Sequence, residues 1–247
     1  MLSELLEDKE AFIFDLDGTL LDSLDLWNEV DTSVVQAFCH EDINPQDIGI
    51  FRDNVLASSE SANPYIDYIR LLKEKYHIKI SLEEFMEYRR NISKLYQTTR
   101  IMPKPYAKEL VQLLYSLNYQ LGIASLSARN SIDIYRESNS FTKQLEFDKL
   151  FSHVLTIEDV KKRKPNPEIY LKMLERMDIS NNRAVVFEDS LVGVIAARRA
   201  KITCIAIKDY GNLKDFAKIT ENASYFAENL QEIYDFCSKS LKKCLKP

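Results

Sequence analysis

The sequence predicts an α/β fold: a Rossmann-like parallel sheet with helices on both faces, interrupted by an inserted all-helical unit. Three observations carry this expectation. Short continuous apolar runs alternate with helical patterns, as strands buried on both faces of a parallel sheet do. Residues 24–100 break the alternation and contain no convincing strand. Two apolar runs end abruptly in carboxylates, which singles out one edge of the sheet.

Taken in order, Ala11-Phe12-Ile13-Phe14 reads as the first strand, ending at Asp15. Trp27, Val30, Val34 and Phe38 then make a helical face, and Pro64–Tyr76 repeats Tyr65, Ile66, Ile69 and Leu72 at helical spacing. Ser81-Leu82-Glu83-Glu84 is a capping box opening a third helix to about Gln97. Met102-Pro103-Lys104-Pro105 marks the return to the α/β part. Pro105–Leu117 is helical, and Leu121–Ala124 is a strand ending in Ser125. Val154–Ile157 is a weaker strand pattern; Asn166-Pro167-Glu168 starts a helix running to Met177, with Asn capping and Pro in the first turn. Strands at Ala184–Phe187, Thr203–Ile207 and, more weakly, Ser224–Ala227 follow, and Leu230–Leu245 is a helix or partner surface. The expected division is residues 1–23 with 101–247, and 24–100 as the insert.

A chain of 247 residues with 45% apolar and 29% charged residues reads as an ordinary soluble globular protein, large enough to fold without disulfides or structural metal. Collagenous, disordered and disulfide-framework classes are excluded. The net charge of −5 argues against a nucleic-acid partner or a broad contact with an anionic membrane. The basic run Lys161-Lys162-Arg163-Lys164 reads chiefly as a solvated loop. Cys39, Cys204, Cys237 and Cys244 make no CxxC pair and, with three scattered histidines, no zinc spacing. That usage fits a reducing compartment; with an acidic N-terminus and no span of ~18 apolar residues, a cytoplasmic protein is expected. The five glycines match neither GxGxxG nor a P-loop.

The chemistry is expected at the strand ends. Asp15 and Asp17 stand two residues apart beside a strand end, where like charges repel and burial adds to the cost. A divalent cation would compensate, as would different protonation states for a nucleophile and a general acid; the bland alternative is a pair of capping aspartates. Gly18 permits a sharp turn or a close approach of backbone to ligand. Glu188-Asp189 leaves a second strand, so four acidic groups could converge where open parallel sheets bind ligands. Oxygen-only ligation suits Mg²⁺. Ser125 could donate to a phosphate, and Lys164, ahead of a capped helix, could screen the carboxylates.

Asp15-Leu16-Asp17-Gly18-Thr19, then Ser125, Lys164-Pro165 and Glu188-Asp189, on successive strands, resembles the haloacid dehalogenase superfamily of phosphohydrolases, in its β-phosphoglucomutase-like, small-molecule phosphatase branch. The resemblance covers residues 11–23 and roughly 103–210, and the insert is similar to that family's helical cap. It implies that Asp15 attacks phosphorus, and that Asp17 protonates the leaving group and then activates water. It implies that Ser125 and Lys164 orient the phosphoryl group beside Gly18. Mg²⁺ would be held by Asp15, the Asp17 carbonyl and Asp189, with Glu188 as a second acidic partner, directly or through water. The substrate would be a small phosphorylated metabolite. Trp27 stands where β-phosphoglucomutase carries a cap histidine, which favours a phosphatase over a phosphosugar mutase. Tyr106 and Lys201 replace glycines usual in the family. Asp17 and Glu188-Asp189 speak against dehalogenase chemistry, which needs no metal. A catalytically silent binding or regulatory protein would be expected to lose one of these positions, and none is lost. Arg52, Asn54, Arg89 and Arg90 are candidate cap contacts to substrate; oligomeric state is not legible.

Overall fold

The computed structural model describes residues 6–39, 41–61, 63–209 and 215–240. They form two compact units, Met1–Leu24 with Ile101–Pro247, and Asp25–Arg100.

The first unit is built on a six-stranded sheet in the order β5-β4-β1-β6-β7-β8. Its strands are β1 Ala11–Phe14, β4 Gln120–Ala124, β5 His153–Leu155, β6 Ala184–Glu188, β7 Thr203–Ile207 and β8 Tyr225–Ala227. All five pairings are parallel. β1 lies centrally, flanked by β4 and β6, and its four residues are fully buried. Its side chains alternate between two cores, as a strand dictates. Phe12 and Phe14 join an aromatic layer in which Phe14 stacks on Phe187 at 4.8 Å and Phe12 meets Tyr119 edge-on at 4.9 Å. Ala11 and Ile13 join Val186, Ile169, Tyr170, Met173 and Ala196 on the other face. Each buried Phe or Ile contributes roughly 1.5–3 kcal/mol, so β1 is firmly held and its C-terminal end is a rigid platform.

Three details differ from the sequence reading. The stretch Met102–Pro103 is a strand, β3, pairing antiparallel with β2, Leu21–Asp22. The weaker strand pattern at 154–157 is shifted to His153–Leu155, followed by a 3-10 turn Ile157–Asp159. The helix at Asn166 begins at Glu168 with Pro167 at its N-cap; Asn166 stands one residue further out, its Oδ1 accepting from the Glu168 N–H at 3.1 Å, so the expected Asn cap with Pro in the first turn is displaced by one residue. The last helix is Leu230–Ser240; the expected extension to Leu245 lies outside the described residues.

Among the described residues the second unit has four helices: Leu26–Gln36, Pro45–Ser58, Pro64–Lys75 and Leu82–Thr99. The helix Pro45–Ser58 is one that the periodicity did not announce. Asn44, Asn63 and Ser81 cap their helices, the last through the expected reciprocal capping box. Val30, Val34, Ile69, Leu72 and Phe85 are buried at the centre, whereas Phe38 falls past its helix end and is 39% exposed. Asp31 is also fully buried here, accepting from Arg89 Nε at 2.5 Å and the Tyr68 hydroxyl at 2.7 Å, with Arg52 Nη1 at 3.4 Å. The Arg89 guanidinium faces the rings of Trp27 and Tyr65, at 5.3 and 5.4 Å. Two of the residues considered for substrate contact, Arg52 and Arg89, are therefore engaged inside their own unit, while Asn54 and Arg90 are exposed. Among the described residues no helix is long and apolar enough to cross a membrane.

Candidate active site

The strand order places the chain reversal at β1, with β4 on one side and β6 on the other, and ligands bind at such switch points outside the carboxyl ends of the strands. Asp15 follows β1 directly and is tied to the sheet by its N–H, donated to the Phe187 carbonyl at 2.9 Å. Ser125 follows β4, Glu188 ends β6 and Asp189 follows it. All four are buried.

Lys164 reaches the same point. Its ammonium donates to Asp15 Oδ1 at 2.6 Å, to Glu188 Oε1 at 2.6 Å and to the Ala124 carbonyl at 2.9 Å. An ammonium carries three protons, so all are engaged. Its neighbours Lys161, Lys162 and Arg163 are exposed, which separates one buried lysine from an otherwise solvated loop. The Lys161 and Lys162 N–H groups are tied by Glu168, whose carboxyl they and Lys172 hold at about 2.

Oxygen atoms of Asp15, Glu188 and Asp189 lie within 4.8 Å of one another. Burial pushes the Asp15 carboxyl up to about 7, against the pull of Lys164 and with the help of Glu188. Asp189 is likewise raised well above the carboxylate range by burial, Glu188 and Asp15. Lys164 is raised because Asp15 and Glu188 outweigh the effect of burial. Three buried carboxylates lie this close together, with the Lys164 ammonium bonded to two of them. An all-oxygen, carboxylate-rich donor set of this kind fits a hard divalent cation such as Mg²⁺.

Asp17 is held apart from this cluster. Its carboxylate accepts from the Ser23 hydroxyl at 2.7 Å, from Ser127 Oγ, and from Ser125 Oγ at 3.5 Å. The buried Tyr135 hydroxyl, from a π-helical turn Ile134–Ser138, also hydrogen-bonds Asp17. Gly18, at φ +83°, makes the turn immediately after Asp17; a Cβ there would collide with the Asp189 carboxylate. Its N–H donates to the Leu21 carbonyl at 2.9 Å, so Gly18 serves through its turn and its missing side chain. Thr19 Oγ1 donates to Asp189 Oδ1 at 2.9 Å.

Glu188 is the most enclosed group. Oε1 accepts from Lys164 and from the Tyr170 hydroxyl, each at 2.6 Å. Oε2 accepts from the Ser190 hydroxyl at 3.0 Å and from the Ser190 and Asp189 N–H groups at 3.2 Å. A Cβ at position 193 would collide with this carboxylate, so the first turn of the helix Leu191–Arg199 closes over it only with glycine.

The seven residues expected at the site thus fall around one sheet edge. Ser127, Tyr135 and Tyr170 were not expected there, and Ser23 and Ser190, which stand inside the two acidic motifs, had no role in the sequence reading. Ser23 and Ser127 had a signal available, each within a few residues of a motif position. The tyrosines sit where core aromatics would, and nothing local distinguishes them.

A family model described as haloacid dehalogenase-like hydrolase matches residues 12–207. The chain is 30% identical over 196 residues to the phosphorylated carbohydrates phosphatase of Thermotoga maritima, covering 78% of this chain and 82% of that one. It is 27% identical to (DL)-glycerol-3-phosphatase 2 of Arabidopsis thaliana, covering 80% and 78%. A solved Thermotoga maritima structure, described as a candidate beta-phosphoglucomutase, superposes with a TM-score of 0.76 at 26% identity, over 93% of this chain and 99% of that one.

Proposed function

This chain belongs to the haloacid dehalogenase-like hydrolase family, and we propose that it is a Mg²⁺-dependent phosphatase of a small phosphorylated metabolite, a sugar phosphate or similar phosphomonoester. The observation that carries the reading is the separation of two carboxylates only two residues apart. Asp15 lies against Lys164 and the acidic cluster, and Asp17 lies among hydroxyls. One environment suits a nucleophile beside a phosphoryl-binding cation; the other suits a group that trades a proton.

In the first step an Asp15 carboxylate oxygen attacks phosphorus, the bond from phosphorus to the leaving oxygen breaks, and Asp17 gives that oxygen a proton. In the second, Asp17 takes a proton from water, whose oxygen attacks phosphorus. The bond to Asp15 breaks, and inorganic phosphate leaves. Ser125 and Lys164 orient and neutralise the phosphoryl group, Lys164 by exchanging one of its present hydrogen bonds for a phosphoryl oxygen, and Gly18 leaves room for the Asp189 carboxylate beside them. Asp15, Asp189 and the Asp17 carbonyl would hold the metal, with Glu188 as an outer acidic partner because both its oxygens are engaged. Bound Mg²⁺ supplies charge neutralisation on the transferring group. The names of the Thermotoga and Arabidopsis relatives support a carbohydrate- or polyol-like leaving group.

A second reading, a phosphosugar mutase that returns phosphate to a bound sugar, is favoured by the description of the superposed Thermotoga structure. Phosphate release from a panel of phosphorylated metabolites, with and without Mg²⁺, separates the two. Release that requires Mg²⁺ and disappears in Asp15→Asn supports the phosphatase. Isomerisation activated by a bisphosphate, with total organic phosphate conserved, would support the mutase instead.

A further inference from the structure

Tyr170 is fully buried, two residues into the helix Glu168–Met177, and touches both charged partners of the nucleophile. Its hydroxyl donates to Glu188 Oε1 at 2.6 Å, the same oxygen that accepts from Lys164. Its ring lies beneath the Lys164 ammonium, 4.9 Å from the centroid. We propose that Tyr170 is a positioning residue of the phosphoryl-transfer site, holding Glu188 and Lys164 so that the ammonium faces Asp15. This rests on the reading of Asp15 as the nucleophile.

Lys164 has three protons and gives two of them to carboxylates that pull it in different directions, Asp15 and Glu188. Glu188 Oε2 is fixed by Ser190 and by the N–H of Asp189, which anchors the inner half of the carboxylate. The outer oxygen, Oε1, is shared between lysine and tyrosine. While Tyr170 donates, Oε1 is partly neutralised and its hold on the ammonium is weakened in favour of Asp15. Without that hydroxyl, the whole charge of Oε1 acts on Lys164 and draws it away from the place where phosphoryl oxygens must sit. The ring sets the other limit: its face attracts the ammonium and keeps water from beneath it. Hydrogen bonds to charged groups are among the stronger ones in proteins, so removing this one should be visible in turnover.

The test begins with Tyr170→Phe, which keeps the ring and removes one oxygen. Relative to wild type, kcat for Mg²⁺-dependent phosphate release should fall about tenfold, equivalent to about 1.4 kcal/mol, with KM changed far less and Tm nearly unmoved. Tyr170→Leu, which also loses the ring, should lower kcat further. In a Glu188→Gln background, Tyr170→Phe should add little, because the hydroxyl acts through that carboxylate. Equal kcat in wild type and Tyr170→Phe, or full additivity with Glu188→Gln, would overturn the proposal. Crystal structures of wild type and Tyr170→Phe supply a readout without turnover: Lys164 Nζ should leave Asp15 in the variant. Wild-type protein that releases no phosphate from any substrate removes the phosphatase reading. In that case an unmoved Lys164 would overturn the positioning role as well, and a displaced one would uphold it.

Discussion

Both units of the protein bury carboxylates against cations, and they do so with opposite balances. In the helical unit one aspartate, Asp31, is met by two guanidiniums and a tyrosine hydroxyl. In the α/β unit one ammonium bonds two carboxylates of a cluster of three. The first arrangement is closed: Asp31 accepts on both oxygens, and Arg89 also bonds Tyr65 at 2.7 Å. The second is open, and burial, with the repulsion of neighbouring carboxylates, raises the protonation of Asp15 and Asp189. A closed buried network specifies packing. An open cluster of like charges is relieved by something that binds to it, a proton or a cation, and that is where a ligand belongs.

The largest effects should therefore fall on turnover in the α/β unit. Asp15→Asn removes the proposed nucleophile with almost no change in shape, and phosphate release should fall on the order of 10⁶-fold, the scale seen when a covalent catalyst loses its nucleophile. Asp17→Asn keeps the nucleophile and should slow release by roughly 10²–10⁴-fold. Leaving-group dependence sharpens this second prediction. Substrates whose alcohol is acidic need little protonation, so Asp17→Asn should hurt them least. An equal loss for all leaving groups would argue against Asp17 as proton donor.

The contrasting experiment belongs to Asp31. Asp31→Ala leaves a buried Arg89 without its carboxylate, which should destabilise by about 3–5 kcal/mol and lower Tm by about 10 °C. Well below that Tm, turnover per folded molecule should persist. If Tm is unchanged while turnover collapses, the Asp31 network is part of the substrate site and the contrast between the units breaks down.

Much of this arrangement was legible in the residues. β1 and β7 were readable to their ends because a strand buried on both faces is a continuous apolar run, bounded here by Asp15 and Lys208. The Ser81 capping box was readable because its signal is local. The helix Pro45–Ser58 was not: Ile48 and Val55 are buried but Ile50 is 60% exposed, so no single apolar stripe forms. The β2–β3 ribbon is two residues long on each side and joins segments some eighty residues apart, a pairing no window of sequence contains. The carboxylates of the candidate site stood out because acidic pairs at strand ends are costly. Tyr170 did not, since a tyrosine on an apolar helix face reads as core until its hydroxyl partner is known.

The smallest effect, and the most direct probe of the open charge balance, is in metal-free stability. Asp15 ionises near 7 in the folded protein against 3.8 for an ordinary aspartate. Between those values the folded state binds more protons than the unfolded one, so unfolding free energy falls as pH rises. This group's burden is absent below about pH 4 and complete above about pH 7. Chelated protein should accordingly lose Tm between pH 5 and pH 8 relative to Asp15→Asn, which has no carboxylate to ionise there. Mg²⁺ reverses the trend because it binds the ionised carboxylates and must displace protons at lower pH. At a hundredfold excess over its dissociation constant it should add about 2.7 kcal/mol, a rise of about 5–10 °C in Tm, at pH 8 and much less at pH 5. A Mg²⁺ effect of equal size at both pH values would mean that the cation does not bind at Asp15. The acidic cluster would then have to be neutralised by protons alone, which would remove the electrostatic basis for distinguishing the two units.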